Sequence, residues 1–438
     1  MLGTEQSTPH CAYLGRLSGS EDQAWLKEAH NMIISETFAN PEIKNIVAVC
    51  IQELELEQDY ITNTTHTLNQ LGKLLHNHDI YLVCNTPNKV VFETLSEPRD
   101  FTVLEFPHRF GMFEVCAHEM YSDRPEDVSW NPDNSNIVYM CGKNEHAHRV
   151  FPIISVTESD YRDNFRYSFL RPSEPITPDQ QELMTMMAQG FIESYDLPEF
   201  QSVPEFYNRY HSILDVPESA MVIDAESQFI RKNPHTEKGR GYQHYTGRPI
   251  RDTDIYNSGA LFMVSETTQW HGTVSDIAEI HHNTGWYTEK TYRHINMGLP
   301  ILVTNRPFLW PYLVSQGFRD ISKFLGPDYA RYNLEISENI ELNQSWFRPD
   351  LSKLLIKSID YFFDYKQRNP AEISEALEYN RTLLNSHNLW QSVDDTLGSG
   401  VALHLDKVNR YINHTWISDL QPEGEEHYLA GMHGIRAE

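Results

Sequence analysis

Gly285-Trp-Tyr-Thr-Glu-Lys-Thr-Tyr-Arg-His-Ile-Asn-Met-Gly-Leu-Pro-Ile-Leu-Val-Thr304 is the stretch from which the fold can be read. Thr288 is a good N-cap, so a helix is predicted from Thr288 to Met297. Gly298 just past that helix, with Pro300 two residues later, is a stop signal. The run Pro300 to Thr304 then reads as a buried strand. Upstream, Ala260 to Ser265 (ALFMVS) is another apolar strand. Strand, connection, helix, strand is the repeating unit of a parallel α/β sheet.

The same alternation extends in both directions. Toward the N terminus, strands are predicted at Ile46 to Ile51, Ile80 to Cys84, Phe101 to Phe106 and Ile137 to Cys141. Leu68, Leu71, Leu74 and Leu75 are expected to form one helical face between the first two. The strand at Ile137 leads through Gly142 into a segment that contains Arg149. A helical stretch follows from Gln180 to Tyr195, and a strand at Ala220 to Asp224. Toward the C terminus, Leu351, Leu355, Ile359 and Phe362 mark an amphipathic helix over residues 351–365. Helices are expected near Pro370 to Leu384 and Val401 to Ile412, before a polar tail. The block Cys116 to Ser135 is largely polar and contains proline, which puts a domain boundary near Pro132. The predicted organisation is an α/β protein with an N-terminal domain at 1–132, a second domain at 133–348, and C-terminal helices and tail at 349–438.

A chain of 438 residues is long enough for two domains with sizeable cores. Its 35 basic and 62 acidic residues give a formal charge of −27, which repels nucleic acid and anionic membranes at long range. The interval Arg231 to Arg251 opposes that field: Arg231, Lys232, Lys238, Arg240, Arg248 and Arg251 face the single acid Glu237. Such an island implies an anionic partner or pairing with acidic surroundings. The five cysteines form no CxxC pair, and Cys50, Cys84 and Cys141 fall inside apolar runs, so buried thiols are expected rather than disulfides or zinc. No apolar run approaches the ~18 residues of a membrane span. The first residues lack a basic region followed by an apolar stretch, so a cytoplasmic protein is expected.

The chemistry concentrates after the strand ending in Ser265-Glu266-Thr267. In parallel α/β sheets, ligands bind outside the carboxyl ends of strands. Glu289 and Lys290 fall in the first turn of the predicted helix, whose free N–H groups and positive dipole end suit a diphosphate. Lys290 adds a full charge there, while Glu266 and Glu289 can accept from ribose hydroxyls. The plainer account makes Glu289 a favourable first-turn acid and Lys290 a solvated one. The strand-end Glu266, the glycine before the Thr288 cap, and the helix–Gly–Pro–strand unit together favour the ligand.

Gly285-Trp-Tyr-Thr-Glu-Lys290, followed by a helix and Leu299-Pro300-Ile-Leu-Val, resembles the donor motif of the α1,3-fucosyltransferases, glycosyltransferase family 10. Trp286 stands where that family has Tyr. Phe262 to Glu266 (FMVSE) is similar to its F-E-N strand, with Ser265 and Thr267 in place of Phe and Asn. Leu309, Leu313, Gly317 and Phe318 extend the likeness to bacterial and phage glycosyltransferase-like proteins with a T-E-K-T motif. The resemblance covers about Ile137 to Phe324. It implies a GT-B fold of two Rossmann-like domains and a nucleotide-diphosphate sugar as co-substrate. It further implies no bound cofactor and no obligatory metal. It also implies that Arg149 contacts the donor diphosphate, against the plainer account of a surface arginine; Lys143 is a further candidate. The implied reaction is direct displacement at the anomeric carbon. The acceptor hydroxyl, on a glycan or another acceptor, then needs a base from the N-terminal domain. Glu53, Glu55, Glu105 and His108 stand at strand ends there, and Glu105 with His108 ranks first.

Other signals point elsewhere. Asp252-Thr253-Asp254 has the D-x-D spacing of a metal–diphosphate site, a pattern that arises easily in an acidic chain. His146, His148, His281 and His282 do not complete a recognisable ligand set. Arg240, within Gly239-Arg-Gly-Tyr242, is a candidate for a loop that closes on a phosphate. Trp270, Trp286 and Trp310 can stack on a sugar, with core packing the commoner fate. Two alternative functions remain open: transfer of sugar to a modified base in DNA, which the net charge disfavours, and a non-catalytic nucleotide-sugar-binding module.

Overall fold

The structure, a computed structural model, describes residues 11–16, 31, 41–49, 58–84, 86–95, 99–105, 128–143, 147–170, 185, 188–189, 202, 204–205, 253–266, 289–304, 309–338, 351–384, 386 and 391–398. These fall into two compact units, one holding the residues up to 105 and those from 386 onward, the other holding those between.

The first unit contains β1 (Cys11–Arg16), β2 (Asn45–Val49), α1 (Gln58–Leu74), β3 (Asp79–Cys84), α2 (Thr86–Leu95) and β4 (Thr102–Glu105). Its strands are parallel and lie in chain order. Ile46, Val47 and Ala48 are buried in succession, as are Leu82, Val83 and Cys84. Consecutive burial without alternation is what a parallel sheet covered on both faces requires. Leu68, Leu71 and Leu75 turn inward, but Leu74 is 51% exposed, against its expected place on that face. At about 100° per residue, Leu74 lies roughly 120° around the helix from Leu68, whereas Leu71 and Leu75 stay within about 60° of it.

The second unit contains β5 (Asn136–Lys143), α3 (Ala147–Thr157), β6 (Phe165–Leu170), α4 (Thr253–Ser258), β7 (Gly259–Val264), α5 (Glu289–Asn296), β8 (Ile301–Val303), α6 (Leu309–Ser315), α7 (Pro327–Glu338), α8 (Leu351–Arg368) and α9 (Pro370–Leu384). Four parallel strands run in the order β6-β5-β7-β8. From β5 the chain moves outward to β6. It then resumes on the other side of β5 with β7 and moves outward to β8. The direction of winding therefore reverses between β5 and β7. All six residues of β7 are buried. The Gly298 stop operates as expected: Leu299 N–H donates to the His294 carbonyl and Gly298 N–H to the Ile295 carbonyl, each at 3.0 Å. Gly298 takes the left-handed φ of 68° that this closure needs. The last helix, α10 (Gln391–Leu397), belongs to the first unit.

Helix α8 buries Leu351, Leu355, Ile359 and Phe362, the stripe read from the sequence. It meets α3 through a 2.8 Å contact between Ser155 Oγ and Ser352 Oγ. Near its end, Lys366 is only 5% exposed and donates to the carbonyls of Pro132, at 2.8 Å, and Asn134. The Phe363 ring lies 4.8 Å from its ammonium. Burial pulls the Lys366 pKa below the usual lysine value, and the nearby Asp133 partly offsets this. Lys366→Met orphans two carbonyl contacts and is expected to cost about 1–3 kcal/mol near neutral pH. Between the lowered folded pKa and the ordinary unfolded one, the unfolded chain holds more protons, so the wild type gains stability as pH rises. The gap between wild-type and Lys366→Met urea midpoints should therefore widen as pH rises toward the ordinary lysine value of about 10.4. A gap that stays constant would detach this proton from folding.

Candidate functional site

In an open parallel sheet, the crevice for a ligand lies at the carboxyl ends of the strands where the winding reverses. Here that point is the gap between β5 and β7. The residues around it are joined by hydroxyl groups from both strands. Tyr139, in the middle of β5 and fully buried, donates from its phenol to the Arg149 carbonyl at 3.0 Å. The same hydroxyl lies 2.7 Å from Ser265 Oγ, just past β7. Ser265 Oγ also pairs with Thr304 Oγ1, just past β8, and Thr304 N–H donates to the Val264 carbonyl at 2.9 Å. A buried phenol must be hydrogen-bonded, and this one uses its capacity to fix the first turn of α3 against the ends of two strands.

Arg149 lies in that first turn and is 4% exposed, which replaces the surface-arginine account with a buried cation. Glu266, next to Ser265, is 1% exposed, and Thr291, in the first turn of α5, donates its hydroxyl to Glu266 Oε1. Lys290 precedes Thr291 and is half-buried. His294 Nδ1–H donates to the Lys290 carbonyl at 2.6 Å, and its ring packs 5.3 Å from Phe262 and 6.2 Å from Tyr256. Hydrogen bonds and chain neighbours thus connect the Arg149 backbone through Tyr139, Ser265, Glu266 and Thr291 to the residue after Lys290. Two basic residues and one carboxylate therefore belong to segments at the amino-terminal ends of α3 and α5 and the end of β7. The helix ends present free N–H groups and a partial positive charge. The arrangement suits an anion that also bears hydroxyl groups.

The other sequence candidates are distributed differently. Glu105 closes β4 in the first unit, half-buried and in register with Cys84. Lys143 closes β5, in register with Leu170. Glu289 opens α5. His108, Arg240 and Thr288 lie outside the described residues, as do Asp252, His146, His281, His282, Trp270, Trp286 and the strand expected at Ala220 to Asp224. Trp310 is buried in α6, the core-packing outcome, and Cys84 is a buried free thiol. Among the described residues, no three His, Cys, Asp or Glu side chains converge as a metal-binding group. Nor, among them, is any helix long and apolar enough to cross a membrane.

Sequence reasoning missed Tyr139, Thr291 and Thr304. Thr291 had a signal, as the last residue of the T-E-K-T run. Tyr139 had only its hydroxyl within an otherwise apolar strand. Comparison with protein-family models, with curated proteins and with solved structures gives no match to this chain.

Proposed function

We propose that this chain is a glycosyltransferase of GT-B type, with two Rossmann-like domains, whose donor site is the β5–β7 crevice of the second unit. The observation that supports it most is that hydrogen bonds from Tyr139 to the Arg149 backbone and to Ser265, and from Thr291 to the buried Glu266, tie the first turns of α3 and α5, which carry Arg149 and Lys290, to the strands where the winding reverses. On this reading the donor diphosphate lies against Arg149, Lys290 and the amino end of α5, and Glu289 accepts from the ribose hydroxyls. Lys143, Arg240 and Thr288 complete the residues assigned to the donor.

The reaction breaks the bond between the anomeric carbon and the diphosphate oxygen, and forms one from that carbon to the acceptor oxygen. The leaving diphosphate takes the bonding pair, and its added negative charge is stabilised by Lys290, Arg149 and the helix end. The acceptor proton passes to a general base, for which Glu105 is the first candidate and His108 the second. The acceptor is a hydroxyl of a glycan.

The test is a thermal-shift screen with nucleoside diphosphates and nucleotide sugars. A ligand that binds only the folded state, at about a hundredfold excess over its Kd, adds about 2.7 kcal/mol of stability. Lys290→Ala should remove most of that gain while leaving the ligand-free midpoint nearly unchanged. An undiminished shift in the variant would take Lys290 out of the pocket, and no shift in the wild type with any nucleotide would remove the donor site itself.

A further inference from the structure

The role of Glu266 follows from its burial. Its carboxylate is 1% exposed, and Oε1 accepts from a Thr291 hydroxyl that is itself 0% exposed. A carboxylate so enclosed has exchanged its hydration for a protein donor, and a charge-assisted bond of that kind is among the stronger ones. The bond spans the end of β7 and the first turn of α5, the turn that carries Lys290. The rest of α5 is seated separately, by His294 on Phe262 and by the closure at Gly298.

We infer that Glu266 and Thr291 are a positioning pair for the donor site: Glu266 acts through the Thr291 hydroxyl, setting where the first turn of α5 and Lys290 present themselves to a diphosphate. The inference rests on the donor reading above and changes its detail, because it moves Glu266 from ligand contact to support. The amino end of a short helix frays easily, so an anion site built there needs an anchor close to the first turn. Thr291 supplies it one residue after Lys290. A misplacement of about 1 Å in a charged contact is enough to weaken binding strongly.

The experiment compares wild type, Thr291→Val, Thr291→Ala and Thr291→Ser. Amide hydrogen exchange over residues 289–296 is measured without ligand, and affinity for UDP and GDP by calorimetry. Valine keeps the volume and loses the hydroxyl; serine keeps the hydroxyl. The inference expects faster exchange over 289–296, and affinity about tenfold weaker, in Val and Ala, with Ser restoring both. Wild-type exchange and affinity in Thr291→Val would overturn it. So would a Ser variant as impaired as Ala, since the lost methyl and not the hydroxyl would then be the cause. If neither diphosphate binds the wild type, the donor reading fails for these nucleotides, and the exchange arm still decides whether the pair anchors the helix. Should Val prove unfolded, Ala against Ser makes the same comparison.

Discussion

Phe262→Ala is expected to destabilise the second unit by about 3–5 kcal/mol, the cost of emptying a large buried site. Phe262 is fully buried in β7, between β5 and β8 in the sheet. Its ring stacks on Tyr256 at 6.2 Å and meets His294 at 5.3 Å. It also lies over Gly259 so closely that a Cβ there would come within 2.3 Å of the ring. The site therefore has walls from α4, β7 and α5. Chemical denaturation should show a lower midpoint with an unchanged slope. The ring is also the seat of His294, so the cavity should loosen α5 and weaken nucleotide binding. Leu68→Ala in the first unit, of similar cost, should leave that affinity unchanged. A Phe262→Ala midpoint within error of the wild type would show that this packing contributes nothing.

The parts of the fold that were legible in the sequence are those that local chemistry decides. Strand β7 is a run of small and large apolar residues with no charge, and Gly298 with Pro300 can only close a helix. The stripe Leu351, Leu355, Ile359 and Phe362 repeats at helical spacing and is buried throughout. The missed elements lack such marks. Strand β1, Cys-Ala-Tyr-Leu-Gly-Arg, has no β-branched residue. Strand β6, Phe-Arg-Tyr-Ser-Phe-Leu, alternates with polar residues, although Phe165 and Tyr167 are buried in it. Helix α2 begins Thr-Pro-Asn straight after β3, where proline near a helix start resembles a turn. The candidate site divides in the same way. Lys290 and Glu266 stand at positions that a strand–helix reading singles out. Tyr139 acts through Ser265, 126 residues away, a contact set by strand order and not by any local pattern.

Arg149→Met and Lys290→Ala are each expected to weaken nucleoside-diphosphate affinity by about ten- to a hundredfold, the worth of one charge-assisted contact. Methionine at 149 keeps the unbranched stem that fills this buried position and removes only the guanidinium. The two residues sit on different helices, α3 and α5, and the hydrogen bonds of Tyr139 and Thr291 join those helices to the middle of β5 and the end of β7. If both cations grip one diphosphate, each holds the anion in place for the other, so the loss of either also weakens the contact that remains. The double variant should then lose less than the product of the single losses, with a coupling of about 0.5–3 kcal/mol. Strict additivity would mean that the two cations act on separate groups of the ligand. Full retention of affinity in Arg149→Met would leave α3 outside the site, and the crevice would then rest on α5 alone. Calorimetric titration of the four proteins with the same nucleotide distinguishes these outcomes. Because both contacts are with a charged ligand, rising salt should weaken the wild type most and the double variant least.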